Sequence, residues 1–142
     1  MRGWRACAAA LVVAAAGNGC GGDEGPPPLR QLSDSYSYTI LPDDSPPHAR
    51  QDIHYSVQIF DRKTRQPIEN GEGRIFSNNA QGAKTWDGFV YGPEVGTYHA
   101  KLNFVVAGQW EVAIQFRRDS LRPLERIDWM QDVYDERPSK TP

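Results

Sequence analysis

The sequence predicts an all-β fold, a sandwich of about seven strands followed by a short C-terminal amphipathic helix. Two observations support this prediction. Four segments alternate apolar and polar residues with a period of two, which is the pattern of a strand buried on one face. Glycine, proline and Asn–Gly signals separate these segments at intervals of about 8 to 12 residues, which is typical of β-sandwiches. The chain of 142 residues is long enough for one such domain.

The four alternating segments define the expected core. In each of them every second residue is apolar and is predicted to point inward. The inward sets are Tyr36, Tyr38 and Ile40; Ile53, Tyr55, Val57 and Ile59; Tyr98, Ala100, Leu102 and Phe104; and Trp110, Val112, Ile114 and Phe116. The last two sets are the most regular. Trp110 is expected to be almost fully buried at the centre of the sandwich.

Turn residues separate the predicted strands. The segment 41–47 contains three prolines, which lack the backbone donor that a central strand needs. Asn70 with Gly71, and Asp87 with Gly88, are signals for tight turns. Together with shorter apolar stretches near residues 75 and 90, these turns predict an immunoglobulin-like β-sandwich over residues 33–119.

The start of the chain has the organisation of an export signal. Arg2 and Arg5 precede an apolar run over residues 6–16. This run is too short to cross a bilayer as a permanent helix, and it ends at a junction of small residues. The sequence therefore predicts a protein that works outside the cytoplasm.

Cys20 follows that junction and resembles the lipidated cysteine of the bacterial lipobox. We therefore predict that residues 1–19 are a signal peptide, that Cys20 is the lipidation site, and that residues 20–32 are a flexible tether. The protein would then be a periplasmic or cell-surface lipoprotein anchored to a membrane. The alternative is ordinary cleavage after Ala16 or Gly19, which would leave Cys20 as a free thiol.

Charge and cysteine content bear on the possible ligands and on disulfide formation. The formal net charge is −2, and removal of residues 1–19 takes away Arg2 and Arg5 and no acidic residue, so it becomes −4. An acidic chain without a basic cluster is a poor fit to nucleic acids. Cys7 would leave with the signal peptide, so Cys20 would have no partner for an intrachain disulfide.

The C-terminal segment 120–142 shows a different periodicity. Apolar residues recur there at spacings of three and four, and acidic residues fill much of the remaining surface, which predicts a short amphipathic helix. Because aromatic and methionine side chains are enriched at interface centres, we predict a partner-binding surface formed by Ile127, Trp129, Met130 and Tyr134. The alternative is that this helix packs on its own sandwich.

Residues 50–117 carry several turn and strand motifs. Pro67 and Gly71 lie in the turn after the second strong strand, and Gly96 and Gly108 precede the two closing strands. These motifs resemble those of the FixH/YtkA-like family of exported immunoglobulin-like domains. The resemblance implies the same fold and an accessory role near cation pumps, terminal oxidases or copper-handling systems. It carries over no catalytic residue.

Two histidines form a candidate metal site. His54 and His99 fall on outward positions of strands that are neighbours in an immunoglobulin-like topology. Two imidazoles with one carboxylate, from Asp52 or Asp61, would suit copper(II) or zinc. The alternative is that both histidines are simply solvated on a polar face.

The residues bear on two further functions, glycan binding and catalysis. Trp86, Phe89 and Tyr91 lie in a glycine-rich segment and could form a platform for stacking sugars; the alternative is that they cover the edge of the sandwich. The chain contains no Gly-x-Ser-x-Gly, Ser-x-x-Lys or His-Glu-x-x-His motif. We therefore expect no enzymatic activity and no cofactor.

The leading hypothesis is a lipid-anchored extracytoplasmic binding module. It would be a non-catalytic subunit or assembly factor of a membrane protein complex for respiration, photosynthesis or transport, attached to the membrane through Cys20. A periplasmic copper- or zinc-binding module is the first alternative, and a glycan-binding domain is the second.

Overall fold

The computed structural model describes residues 25–138, and they form a β-sandwich of nine antiparallel strands. The first sheet has the order β1-β2-β3-β7-β6 and the second the order β5-β4-β8-β9. The strands are β1 (Leu29–Leu32), β2 (Tyr36–Pro42), β3 (Asp52–Asp61), β4 (Glu72–Asn79), β5 (Lys84–Gly88), β6 (Val90–Tyr91), β7 (Thr97–Asn103), β8 (Gly108–Arg117) and β9 (Glu125–Val133). Among residues 25–138, no helix is long and apolar enough to cross a membrane.

The core confirms the four predicted strands and their inward faces. These segments are β2, β3, β7 and β8, and every residue of the four predicted inward sets is buried. Trp110 has no exposed surface, and its indole N–H donates to the Val106 carbonyl at 3.0 Å. The ring of Phe104 lies 5.3 Å from that of Trp110, so one end of the core is built around this aromatic pair.

The opposite end of the core is organised around Phe116. Its ring centroid lies 5.1 Å from that of Tyr36 and 5.1 Å from that of Tyr98. The Tyr98 hydroxyl donates to the Ile68 carbonyl at 2.7 Å and accepts from the Gly71 amide at 2.9 Å. A Cβ at Gly71 would lie 2.3 Å from the Phe116 ring, so only glycine permits this close approach.

The predicted C-terminal helix is wrong, because residues 125–133 form strand β9. The residues between Ile127 and Val133 also fit a period of two. Ile127 and Val133 are buried, whereas Asp128 and Met130 point outward and are exposed. Pairing with β8 from Gly108 to Phe116 satisfies one side of this segment's backbone, which an isolated helix of about three turns could not match in stability.

The sandwich also extends beyond the boundaries predicted at both ends. Strand β1 lies within the predicted tether 20–32, and its register with β2 pairs Leu29 with Ile40. At the other end β9 belongs to the second sheet instead of a separate tail. The predicted signal peptide and Cys20 lie outside the described residues.

One predicted turn is also misplaced. Asp87 and Gly88 end β5, from which the chain crosses to the other sheet, so they do not form a hairpin. The hairpin between β4 and β5 turns instead at residues 80–83, where Gly82 has a φ of 86°. Asparagine or aspartate before glycine therefore marks a change of direction in this chain, but not always a hairpin.

Candidate functional site

Strand β9 is a long edge strand with one side unpaired in the described structure. It pairs with β8 from Glu125 to Val133 and is the last strand of its sheet. The edge of the other sheet on this side of the sandwich is β1, which has only four residues. An edge strand presents backbone donors and acceptors to any extended chain that approaches.

Both ends of β9 are fixed to the first sheet's loops. At its start, the Glu125 carboxylate accepts hydrogen bonds from the Ser33 hydroxyl and, at 2.9 Å, from the Ser35 amide. Just beyond its end, the Tyr134 amide donates to the Pro47 carbonyl at 2.9 Å, and the Tyr134 carbonyl accepts from the Ala49 amide at 2.9 Å. The middle of the strand is therefore held in place while its outer edge stays open.

The surroundings of Glu125 favour its charged form. Burial raises the pKa of its carboxyl group, but hydrogen bonds from Ser33 and Ser35, with the nearby charge of Arg62, outweigh burial and leave the pKa below its ordinary value. The contact that fixes the start of β9 is therefore a charge-assisted one at neutral pH.

The four predicted partner-binding residues do not share one face. Ile127 belongs to the hydrophobic core, and Trp129 is partly buried against it. Met130 points outward with 57% of its surface exposed. Tyr134 lies beyond the strand with its ring centroid 6.0 Å from that of His48. The segment therefore offers a strand edge with one exposed methionine in place of the expected helical stripe.

A second feature lies on the outer face of the same sheet. Phe76 on β4 is directly opposite Trp86 on β5 in the strand register. Trp86 is 69% exposed, whereas Phe76 is partly buried. Together with Arg74, Lys84 and Arg126, the two rings line a groove of about 390 Å³, called here the arginine–aromatic groove.

Two arginines fix the floor of the arginine–aromatic groove. The guanidinium carbons of Arg74 and Arg126 lie 5.1 and 5.2 Å from the centroid of the Phe76 ring, within the range of cation–π attraction. Arg74 also donates from Nε and Nη2 to Gln115 Oε1, at 3.1 and 3.0 Å. Arg126 Nη2 donates to Glu111 Oε1 at 2.6 Å. Each guanidinium is thus held in a defined position.

A small residue lies beneath the arginine–aromatic groove. Ala113 lies between Phe76 and Asp128 across the sheet. A methyl group there leaves room for Arg126, which starts from β9, to reach the ring of Phe76.

The two histidines lie on one face, but each bonds to a different carboxylate. Strands β3 and β7 are neighbours, and the register places His54 opposite Lys101 and His99 opposite Ser56. His54 Nδ1 lies 3.0 Å from Asp43 Oδ2, and His99 Nε2 lies 3.3 Å from Glu94 Oε2.

The donor set does not form a ready metal site. Among residues 25–138, no group of three His, Cys, Asp or Glu residues is placed to hold a metal ion. The predicted third ligands are occupied elsewhere: Asp52 pairs with Lys101 at 3.1 Å, and Asp61 pairs with Arg118. The Lys101 ammonium beside His54 also disfavours a cation at that position.

The predicted sugar platform of Trp86, Phe89 and Tyr91 is not assembled. The rings of Phe89 and Tyr91 lie 5.8 and 5.1 Å from Tyr98 and pack against the core. Trp86 belongs to the other sheet and faces outward. Its actual aromatic neighbour in the register is Phe76, which sequence analysis assigned only to a short strand.

The sequence contains one signal that could have located the groove. Arg74, Phe76 and Asn78 alternate with Ile75 and Ser77, so the outward residues of β4 can be recognised once the buried phase is fixed. The contributions of Trp86 and Arg126 depend on strand pairing, which the local pattern does not reveal.

Comparisons with known proteins show similarity to two solved structures. No family model matches the sequence, and no curated protein sequence matches it. A DUF4426 family protein from Pseudomonas aeruginosa PAO1 is similar in structure with a TM-score of 0.58 and 10% identity, over 78% of this chain and 97% of that chain. A copper-bound variant of FetP from uropathogenic Escherichia coli strain F11 has a TM-score of 0.53 and 14% identity, over 83% of this chain and 98% of its own. At these identities the similarity concerns the fold alone.

Proposed function

We propose that this protein is an exported, lipid-anchored, non-catalytic binding module that serves as a subunit or assembly factor of a membrane protein complex. The export signal before Cys20 and the resemblance to FixH/YtkA-like domains support this proposal. A sandwich on a lipid tether would stay near the membrane, which raises its effective concentration beside membrane partners.

The observation that carries the proposal is the open edge of β9. An extended segment of the partner would add to this edge as a further strand, with main-chain hydrogen bonds supplying affinity. Fixation of both ends of β9 lowers the entropy cost of presenting the edge. Met130, exposed on the outer face, would contact a side chain of the added strand.

Site-specific photo-crosslinking in cells tests the edge. A photoreactive amino acid placed at Met130 or Asp132 should capture a membrane protein, because both side chains border the open edge. The same amino acid at Leu121, which is 92% exposed in a loop, is the control and should capture nothing specific. Equal capture from Leu121, or none from β9, would contradict binding at this edge.

The lipid anchor has its own test. Cys20→Ser should move the protein from the membrane fraction to the soluble fraction or stall its processing, while residues 25–138 fold as before. Mass spectrometry of the mature N-terminus gives the direct measurement. An unmodified Cys20 in the wild-type protein would show that the protein is not a lipoprotein.

Binding of copper(II) or zinc at His54 and His99 is a second candidate function. It is favoured by the fold's similarity to a copper-bound FetP structure and by the common face of the two histidines. Metal binding would require both imidazoles to exchange Asp43 and Glu94 for the metal. Titration with Cu²⁺ or Zn²⁺ should show one site that a His54→Ala, His99→Ala double variant lacks. Binding unchanged in that variant would exclude this pair.

A further inference from the structure

We propose that the arginine–aromatic groove binds an anionic sugar ring, such as a uronic acid unit of an acidic oligosaccharide. This site is distinct from the β9 edge, because it is formed by side chains on the outer face of the sheet and uses only Arg126 from β9. Three properties of the groove favour such a ligand: the free face of Trp86, the charge of the lining residues and the volume of the groove.

The free aromatic surface of the groove is Trp86. The Phe76 ring already has two guanidinium groups about 5 Å from its centroid, whereas Trp86 is 69% exposed. Sugars present flat faces of C–H groups, and an exposed indole is the largest planar apolar surface available for them to cover. The sugar ring would therefore lie on Trp86 at the rim of the groove.

The charge of the groove selects an anion. Arg74, Lys84 and Arg126 line it together with one acidic residue, Glu111, although the whole chain has a formal charge of −2. Glu111 pairs with Arg126. Among residues 25–138, neither Lys84 nor Arg74 has an ion-pair partner; Arg74 donates to the neutral amide of Gln115 and lies over the Phe76 ring. Two cationic groups thus remain for a ligand.

These two cations flank the aromatic pair. On the outer face, Lys84 precedes Trp86 by two residues on β5, and Arg74 precedes Phe76 by two residues on β4. Because the strands are antiparallel, the two cations lie on opposite sides of the row formed by Phe76 and Trp86. A carboxylate on a ring stacked on Trp86 can reach Lys84, and the carboxylate of the next unit can reach Arg74.

The composition of the face favours a saccharide over a protein. Trp86 and Met130 are the large apolar side chains on the outward positions of β4, β5, β8 and β9 that are strongly exposed. Lysine and glutamate are depleted in protein interfaces, whereas Lys84 and Glu111 both line this groove. Its volume of about 390 Å³ lies within the usual range of small-ligand sites, about 300–1,000 Å³.

Calorimetry on the mature protein, purified in detergent from the cells that produce it, tests the proposal. The probe is a tetrasaccharide of galacturonic acid, and the matched neutral probe is its methyl ester. The acid should bind, with an affinity that falls as salt is raised, and the ester should bind at least about tenfold more weakly. Trp86→Ala and Lys84→Gln should each weaken binding of the acid by about tenfold.

Matched controls separate the site from general effects. Leu121→Ala removes an exposed apolar side chain, and Lys63→Gln removes a cation at one end of the sandwich, so both should bind the acid like the wild type. Equal binding of acid and ester, wild-type affinity in Trp86→Ala, or no measurable binding of the acid would each overturn the proposal. Tighter binding of an acidic aromatic peptide, competing with the sugar, would also overturn it. None of these outcomes alters the crosslinking expected from β9, so the two proposals fail separately.

Discussion

Different contacts join the two sheets along the two edges of the sandwich. On the side of β5, side chains cap the backbone of β7: Asp87 Oδ2 accepts from the Lys101 amide at 2.8 Å, and Thr85 Oγ1 accepts from the Asn103 amide at 3.2 Å. On the side of β9, contacts between the sheets are made by Glu125 at one end of the strand and Tyr134 at the other.

This difference shows how a small sandwich can protect one edge and offer another. The capped amides of β7 are already satisfied, so an approaching strand would gain little there. The edge of β9 keeps its unpaired groups, while the charges of Arg126, Asp128 and Asp132 discourage nonspecific pairing. The contrast supports β9 as the recognition edge, and the predictions below test each side.

Removal of β9 should have the largest effect. Truncation after Asp119 takes away Ile127 and Val133 from the core and leaves β8, which carries Trp110, as an unprotected edge. Because a domain of this size has only about 5–15 kcal/mol of stability, we expect loss of cooperative thermal unfolding. A truncated chain that melts cooperatively would show that β9 is an accessory tail, as the helix prediction implied.

Substitution of three tryptophans should give the next largest losses of stability, in the order of their burial. Trp110→Ala should lower the free energy of unfolding by about 3–5 kcal/mol, because it leaves a cavity beside Phe104 in the buried core. Trp129→Ala should cost about 1–3 kcal/mol, since this ring is partly buried on the open side. Trp86→Ala should change stability by no more than about 0.5 kcal/mol. Urea denaturation measures all three.

A different order of destabilisation among the three tryptophan variants would be informative. If Trp129→Ala matched Trp110→Ala, the open side would be packed as tightly as the core around Trp110, and the edge of β9 would be less available than its geometry suggests. If Trp86→Ala were strongly destabilising, the arginine–aromatic groove would be a structural cluster instead of a binding surface.

Strands in which one face is continuously apolar were predictable from the sequence. In β8 every inward position from Trp110 to Phe116 is apolar, so hydrophobic burial alone fixes the phase. In β9 the outward Met130 and the partly exposed Gln131 blur that phase. The apparent spacings of three and four combine residues from both faces of this strand. This combination led to the incorrect prediction of a helix.

The candidate surfaces were less predictable than the core. The neighbourhood of His54 and His99 followed from topology, but their bonds to Asp43 and Glu94 depend on loop conformations. The arginine–aromatic groove combines residues of four strands, and Arg126 reaches Phe76 across the small side chain of Ala113. Such a site depends on register and side-chain volume, which no single segment of sequence specifies.

On the side of β5, where side chains cap the backbone of β7, a single substitution should lower the stability moderately. Asp87→Ala removes the acceptor of the Lys101 amide and should lower stability by about 1 kcal/mol. Asp128→Ala on β9 is the matched control, since this exposed carboxylate lies 3.8 Å from Arg126, and it should cost less than about 0.5 kcal/mol. Equal costs, measured by urea denaturation, would mean that the two sides do not differ in the way proposed.

The smallest effect is expected at the start of β9, and it should depend on pH. The pKa of Glu125 is lowered in the folded protein, so its contribution to stability is present above the ordinary value of 4.5 and is lost as the pH falls through the folded pKa. Glu125→Gln keeps an oxygen that can accept from Ser33 and Ser35 but removes the charge. At pH 7 we expect a loss below about 1 kcal/mol.

Stability curves from pH 7 to pH 3 give the decisive measurement for Glu125. The wild type should lose more stability than Glu125→Gln as the pH falls below 4.5. The slope should be reduced and not abolished, because Asp52, Asp61 and Glu94 also have lowered pKa values. Parallel curves would show that the charge of Glu125 does not fix this end of β9. The open side would then depend mainly on the Tyr134 bridge and on burial of Ile127 and Val133.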